Sequence, residues 1–219
     1  RTFRRQYTVN LLDANFIRSN LDEEFYALLD DLRDQGNNLI NSFLPSYVSS
    51  ISGQVIFNFN QYGAFQKNKA SLWRLFFESG GTTLNFVRDD FVDNRSLAYF
   101  QFLKFQSDFR RYIPITNTQT FAYRINLGLA RPYGVSNGVL PYEKYFFAGG
   151  STGIRAWQPR RLGPGSNVPT QDYRFEQPGE ILFEGMFELR TKLYGYFDAA
   201  YFIDLGNSWI FQEDKTRPG

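Results

Sequence analysis

The sequence predicts an all-β fold that forms part of a transmembrane antiparallel β-barrel, with about seven strands in this chain. The chain has 219 residues and a negative mean hydropathy, yet 19% of its residues are aromatic. No apolar run approaches the roughly 18–20 residues of a membrane-spanning helix. Aromatic residues on a polar chain suit a barrel with interfacial girdles. Composition alone fits an aromatic-rich soluble β-sandwich equally well, so the strands and their connections must decide.

Alternation of apolar and polar residues with a period of two indicates β-strands whose two faces differ. Residues 120–130 and 182–193 show it most clearly. The apolar face of the two segments carries Phe121, Tyr123, Ile125, Leu127, Leu129, Phe183, Phe187, Leu189 and Leu193. The opposite face carries Arg124, Asn126, Glu184, Glu188, Arg190 and Lys192. In a barrel the first set would face lipid and the second set the lumen.

Strand length and connection length favour the membrane barrel. We predict strands at residues 3–18, 50–63, 71–87, 97–115, 119–134, 179–194 and 196–211. Most exceed the roughly 5–6 residues of an ordinary strand and reach the about 9–11 of a tilted membrane strand. Long or intermediate links (19–49, 88–96, 135–178) alternate with short ones (64–70, 115–118 and Gly195). Outer-membrane barrels have long extracellular loops and short periplasmic turns.

The first long link should contain a helix. Asn20 is placed to cap it, with Glu23 at capping-box spacing, and Gly36 is placed to end it. An apolar stripe follows at helical intervals: Leu21, Phe25, Leu28, Leu29 and Leu32. Such a stripe can bind a partner or pack onto its own barrel, and the second is more common.

Composition excludes several classes of function. The chain has no cysteine and no histidine, so it lacks a disulfide framework, thiolate chemistry, the usual general base and the commonest metal ligand. A net charge of +2 predicts no nucleic-acid partner. We expect no catalytic residues, no metal and no cofactor. A carbohydrate-binding β-domain using Trp73, Trp157 and Trp209 is an alternative, although each tryptophan also suits a girdle or a packing role.

The longest link, residues 135–178, carries a glycine-rich segment. Gly149, Gly150 and Gly153 precede the run Ile154, Arg155, Ala156 and Trp157. Glycine at this density permits tight turns. No Lys-Ser/Thr pair follows, as a phosphate-binding loop would require.

This segment resembles the signature loop of the BamA/TamA superfamily of outer-membrane assembly and translocation barrels. That loop has a glycine pair followed by hydrophobic–Arg–Gly–aromatic, and Ala156 departs from the pattern at the third position. Residues 185–190 are similar to the family's Gly-x-x-Glu-x-Arg strand, and residues 200–209 to its Phe-x-Asp-x-Gly-Asn-x-Trp strand. Residues 160–165 look like the TamL branch of Bacteroidetes. The likeness is clear over residues 97–211.

The acidic residues of those two strands are expected to meet the loop. Glu188 and Asp204 project from the polar faces of neighbouring strands, and two like charges there call for a cation. Arg155 can supply a planar fork to both. Alternatively, Arg155 is solvated and the acids pair with Arg190 and Lys192. The resemblance favours the first arrangement, in which the extracellular loop folds into the lumen and is locked there.

The resemblance also implies the context. Residues 1–219 would be a partial barrel of about seven strands out of about sixteen, with periplasmic POTRA domains before it. Seven strands with two free edges would leave unsatisfied backbone groups in lipid, so closing strands are expected beyond both ends. The expected function is outer-membrane protein assembly, insertion or translocation without covalent chemistry. The alternative is an export pore of the two-partner secretion type in the same superfamily. Expected partners are outer-membrane lipid, client proteins and accessory assembly subunits, and the expected location is the bacterial outer membrane.

Overall fold

The predicted all-β fold is confirmed. The computed structural model of the chain describes residues 3–34, 39–60, 68–81, 97–134, 136, 138–167 and 176–212. One large sheet dominates, and its seven long strands have 11 to 15 residues each. Strands of this length reach or exceed the about 9–11 residues that a tilted strand needs to cross a bilayer.

The large sheet is an antiparallel meander. Its long strands are β1 (Phe3–Ile17), β2 (Ser46–Phe59), β3 (Ala70–Gly80), β5 (Phe102–Pro114), β6 (Gln119–Pro132), β9 (Ile181–Tyr194) and β10 (Phe197–Trp209). They pair in the order β1-β2-β3-β5-β6-β9-β10. Because each long strand pairs antiparallel with the next, the β2–β3, β5–β6 and β9–β10 connections leave one end of the sheet. The β1–β2, β3–β5 and β6–β9 connections leave the other end.

Several predicted boundaries need correction. The predicted strand 97–115 is two strands, because the two-residue β4 (Ala98–Tyr99) pairs in parallel with Ser46 and Tyr47 of β2. There β4 occupies the edge of β2 beyond the end of β3 at Gly80. The predicted strand 50–63 begins earlier, at Ser46. Residues 61–67 and 82–96, which include the ends predicted at 63 and 87 and the 88–96 link, lie outside the described residues.

The predicted helix in the first long link is present, as α1 (Glu23–Asp34). Its cap was assigned wrongly, because Asp22 rather than Asn20 precedes the first helical residue. The Asp22 Oδ1 accepts a hydrogen bond from the Glu23 amide at 3.0 Å. The predicted end at Gly36 lies outside the described residues. In the part of the chain that is described, no helix combines the length and the apolar character needed to cross a membrane.

The β6–β9 connection folds back over one face of the sheet, which we call the loop face. It contains a short 3-10 helix (Tyr142–Lys144) and a small two-stranded sheet of β7 (Phe146–Phe147) and β8 (Pro178–Gly179). Its apolar residues pack with the sheet and with α1 in the main core. That core includes Leu29, Val48, Phe102, Leu140, Phe146, Ile154 and Leu182. The helix stripe therefore packs onto its own sheet through Leu29, as the commoner of the two sequence interpretations expects.

Candidate functional site

The glycine-rich segment of the loop forms a compact turn. Gly149 has φ +99°, and a Cβ there would lie 2.5 Å from the carbonyl oxygen of Gln158. The Gly150 amide donates to the Trp157 carbonyl at 3.0 Å, and the Gly153 amide donates to the Gly150 carbonyl at 3.0 Å. A Cβ on Gly153 would lie 2.4 Å from Glu184 Oε1. These glycines let the turn fold tightly and come close to the sheet.

This turn holds Arg155 against two carboxylates of the loop face. Arg155 Nε donates to Asp204 Oδ2 at 2.7 Å and Arg155 NH2 donates to Asp204 Oδ1 at 2.7 Å. Arg155 NH1 donates to Glu188 Oε2 at 2.9 Å, and the Arg155 amide donates to Asp204 Oδ2 at 3.1 Å. The bidentate fork expected from the sequence is thus present on Asp204, and Glu188 accepts a further bond. We call these three residues the Arg155 cluster.

The register of β9 and β10 explains how one guanidinium reaches both acids. Glu188 lies opposite Phe202 and Asp204 lies opposite Met186, so the acids are diagonal neighbours on one face. Phe202, opposite Glu188 and two residues before Asp204, lies on the same face, and the Arg155 guanidinium carbon is 3.6 Å from the centroid of its ring. This cation–π contact was missed from the sequence, although alternation places Phe202 on the same face as Asp204.

Arg155 is bound to both acids, as the first of the two expected arrangements has it, and the Glu188–Arg190 pair of the alternative arrangement is present as well. Glu188 also accepts from Arg190 Nε at 2.5 Å, so it bridges the loop arginine and a sheet arginine. Hydrogen bonds to Asp204 and Glu188 raise the pKa of Arg155, with the Asp204 contribution the largest. The guanidinium therefore stays charged throughout the accessible pH range.

The other members of the motif take different positions. Ile154 is buried in the main core. Ala156 is exposed and is not among the described residues with positive φ, so alanine at the position of the family's glycine causes no left-handed strain here. Trp157 is 42% exposed, and its Cβ would lie 3.4 Å from a Cβ on Gly149. Of the four residues, Ile154 and Arg155 fix the turn to the sheet.

A second charged cluster on the loop face was not predicted. Asp108 on β5 is almost fully buried, and the guanidiniums of Arg74, Arg110 and Arg124 contact its carboxylate at 3.2, 2.7 and 3.0 Å. Arg124 NH1 also donates to the Thr152 carbonyl of the loop at 2.7 Å. Hence Asp108 positions an arginine that holds the loop turn on the side away from β10. The alternation of residues within each strand places these four charged side chains on one face of the sheet. Only the order of the strands in the sheet shows that they are neighbours.

Two further contacts attach the loop to distant strands. Lys144 Nζ lies 2.6 Å from Glu78 Oε1 on β3, and both side chains are largely buried. At the other side, the Gly165 amide donates to the Ser208 carbonyl at 2.7 Å, and Asn207 Nδ2 donates to the Gly165 carbonyl at 2.6 Å. The loop thus bridges β3, β6, β9 and β10.

Within the loop, Tyr142 joins the two chain segments. Its hydroxyl donates to Glu176 Oε2 at 2.8 Å. Burial and this hydrogen bond raise the pKa of Tyr142, so its hydroxyl stays a donor. Arg160 also binds Glu176, at 2.9 Å, in an exposed pair that stays within the loop.

The charged side chains of the site are suited to binding. The described residues contain no group of three or more acidic side chains arranged to hold a metal ion. The Arg155 cluster and the Asp108 cluster, which comprises Asp108, Arg74, Arg110 and Arg124, consist of permanently charged arginines and the carboxylates that they neutralise. Such an arrangement can hold or release a loop, or bind a charged ligand.

Comparison with known families gives a match to a family model. The model described as the Omp85 superfamily domain matches residues 93–218, which is more than half of the chain. The match includes β5, β6, β9, β10, the loop and all members of the Arg155 cluster. No curated protein sequence matches the chain.

Proposed function

Because the chain belongs to the Omp85 superfamily, we propose that it forms membrane-spanning strands of an assembly or insertion factor of the BamA/TamA type. Members of this superfamily are outer-membrane proteins with a general role in protein assembly and secretion. Proteins of this superfamily transport or assemble other proteins, and the superfamily is not a catalytic one. The assignment to the TamL branch rests on residues 160–165 and belongs to the same proposal.

The observation that carries the proposal is the docked loop. Arg155 makes three side-chain hydrogen bonds to acids on two adjacent strands, and Arg124 and Lys144 hold the same loop to β6 and β3. A loop held at several points can fix the curvature and spacing of the strands beneath it. We propose that this loop enters the lumen from the extracellular side and steadies the barrel while a client strand pairs with an exposed strand edge.

We call the face opposite the loop face the open face. Its side chains support the proposal that this face contacts lipid. Rings on successive strands form a row across it, with centroid distances of 5.8 Å for Phe57–Trp73, 6.5 Å for Trp73–Phe109, 6.0 Å for Phe109–Tyr123 and 6.4 Å for Tyr123–Phe187. Large apolar side chains such as Leu127 and Tyr201 are 45% and 69% exposed there. A continuous apolar face of this kind is stable against acyl chains and costly in water.

The proposal can be tested by replacing Arg155 with alanine in the native bacterium. Quantitative proteomics of the outer membrane, the periplasm and the medium would follow client proteins. For an assembly factor, several unrelated β-barrel proteins should fall together in the outer membrane. For a two-partner secretion pore, one exported protein should accumulate in the periplasm while the other barrel proteins stay constant.

Arg160→Ala is the matched control, because it removes an arginine of the same loop whose ion pair with Glu176 does not reach the sheet. It should leave client levels unchanged. Immunoblotting must show that the Arg155→Ala protein itself is present at normal amounts. Normal levels of all clients in an Arg155→Ala strain would contradict both forms of the proposal.

A further inference from the structure

A cavity of about 150 Å³ lies between the loop turn and the sheet, beside the Arg155 cluster. The loop contributes Ser151 and Arg155 to its lining. The sheet contributes Arg110, Arg124 and Arg190 from three strands, together with Glu188. Four guanidinium groups and one carboxylate therefore line one small space.

The solvent-facing surface of the cavity is positive, although most of its arginines are paired with carboxylates. The side chains of Asp108 and Asp204 are only 1% and 5% exposed, so they lie behind the arginines that bind them. The arginine side chains keep 19% to 30% of their surface exposed. Four arginines against three carboxylates leave a net charge of +1, and the two charged neighbours behind them, Arg74 and Glu184, offset each other.

Guanidinium groups suit one class of ligand. Each guanidinium carries five N–H donors in a planar arrangement that matches the oxygens of a phosphate or a carboxylate. A bidentate contact with one carboxylate uses only two of these donors. The volume corresponds to roughly five water molecules. This volume is enough for a small oxyanion.

We propose that this cavity is an oxyanion site that takes a phosphate group. Because the loop and the sheet each supply part of the lining, a bound anion contacts both and stabilises the docked loop by mass action. The site goes beyond the proposed role in assembly. Anion binding does not require a client protein, so the two proposals can fail separately.

The test is calorimetric titration of the intact protein in a non-ionic detergent with inorganic phosphate. Sodium chloride at the same ionic strength corrects for general screening. Phosphate should bind saturably at one site, acetate more weakly, and phosphate should slow proteolysis of the loop. Glycerol 3-phosphate distinguishes the source of the group. Binding as tight as that of inorganic phosphate supports a phosphate ester such as a headgroup, and weaker binding supports the free ion.

Two neighbouring arginines on β5 provide a matched pair of variants. Arg110→Gln removes a lining guanidinium while Asp108 keeps Arg74 and Arg124, and it should weaken phosphate binding by about tenfold, equivalent to about 1.4 kcal/mol. Arg111→Gln removes the same charge from the adjacent position. Successive side chains of a strand point to opposite faces, so Arg111 lies on the open face and its replacement should leave phosphate binding unchanged. Ser151→Ala tests the loop side and should weaken binding without disturbing the sheet.

Absence of saturable phosphate binding to the wild-type protein would overturn the site. Equal weakening in Arg110→Gln and Arg111→Gln would also overturn it, because the effect would then reflect net charge alone. Unchanged binding in Arg110→Gln with an intact loop would place the anion elsewhere.

Discussion

At the scale of single residues, Arg155 connects a loop to two strands that are far from it in sequence. Its side chain is 28% exposed, Glu188 is 17% exposed and Asp204 is 5% exposed. An exposed ion pair is worth about 0–1 kcal/mol, whereas breaking a buried one costs about 3–5 kcal/mol. The Arg155 cluster lies between these limits, because its side chains are mostly but not fully buried and its contact with Asp204 is bidentate.

Replacing Arg155 with alanine should weaken loop docking by about 1–3 kcal/mol, since two acids would lose their shared cation. Arg155→Lys should restore part of the loss, because an ammonium cannot form the fork on Asp204. Limited proteolysis of the loop in detergent micelles would measure the change. Arg160→Ala should leave protection unchanged, and equal protection in all variants would refute the lock.

Gly149 and Gly195 both have positive φ. Replacing each with alanine distinguishes the cost of backbone strain from the cost of a steric contact. Gly195 has φ +60° with no heavy atom within 4 Å of a Cβ, so Gly195→Ala should cost only the left-handed strain of about 1–2 kcal/mol. Gly149→Ala adds a contact of 2.5 Å with a backbone oxygen and should cost more. Denaturant unfolding would rank them, and the reverse ranking would argue against the observed turn.

At the scale of elements, charges from three neighbouring strands act as a unit. Asp108 is bound by arginines of the sheet, and it orients one of them, Arg124, which binds the Thr152 carbonyl of the loop. A side chain of the sheet can therefore influence the loop indirectly. Similarly, Lys144 reaches Glu78 on β3, where Ser50 of β2 donates to the same carboxylate oxygen at 2.6 Å.

Asp108→Asn should destabilise the sheet and also loosen the loop. Three arginines would lose the carboxylate that neutralises them, and breaking a buried ion pair costs about 3–5 kcal/mol. Equilibrium unfolding would give the loss of stability, and proteolysis near Thr152 would report the loop. If the loop kept full protection while the sheet was destabilised, the positioning role of Asp108 would be wrong.

The open face allows a test of depth in the membrane. Leu127→Arg, near the middle of β6, should cost about 2–4 kcal/mol in a bilayer if that site lies at the midplane. Leu193→Arg, on the same face near the end of β9, should cost about 0–1 kcal/mol because it lies close to the interface. Refolding into lipid vesicles measures both, and equal costs would contradict a lipid-facing open face.

At the scale of the whole molecule, the meander places alternate connections at opposite ends. The end with the β1–β2 and β6–β9 connections carries α1, the docked loop and the main core. The other end has the tight turn at Gly195 and the short link at residues 115–118. This asymmetry supports a long-loop end outside the cell and a short-turn end in the periplasm.

Cysteine labelling of intact cells would test that orientation. Asp34→Cys lies at the end of α1 and Asn117→Cys lies in the β5–β6 turn, and both positions are exposed. The chain has no natural cysteine to interfere. A membrane-impermeant maleimide should label position 34 alone in intact cells and both positions after lysis. Labelling of position 117 in intact cells would reverse the topology.

The sequence by itself determined the features that depend on local pattern and on chemistry. Period-two alternation located the long strands and assigned their faces, because successive side chains of a strand point in opposite directions. Alternation also put Glu188 and Asp204 on one face, and the family-like loop motif paired them with Arg155. The position of α1 followed from helical periodicity.

Only the tertiary structure decided what depends on neighbours distant in sequence. The Asp108 cluster needed the order β3-β5-β6 and the register that brings Arg74 and Arg124 beside one carboxylate. The break before Phe102 arose because β4 pairs with β2 beyond the end of β3, and the cavity arose where the loop turn meets the sheet. Alternation fixes the face on which a side chain lies, but register, strand order and loop docking fix what it touches, because these depend on packing between segments that the sequence keeps apart.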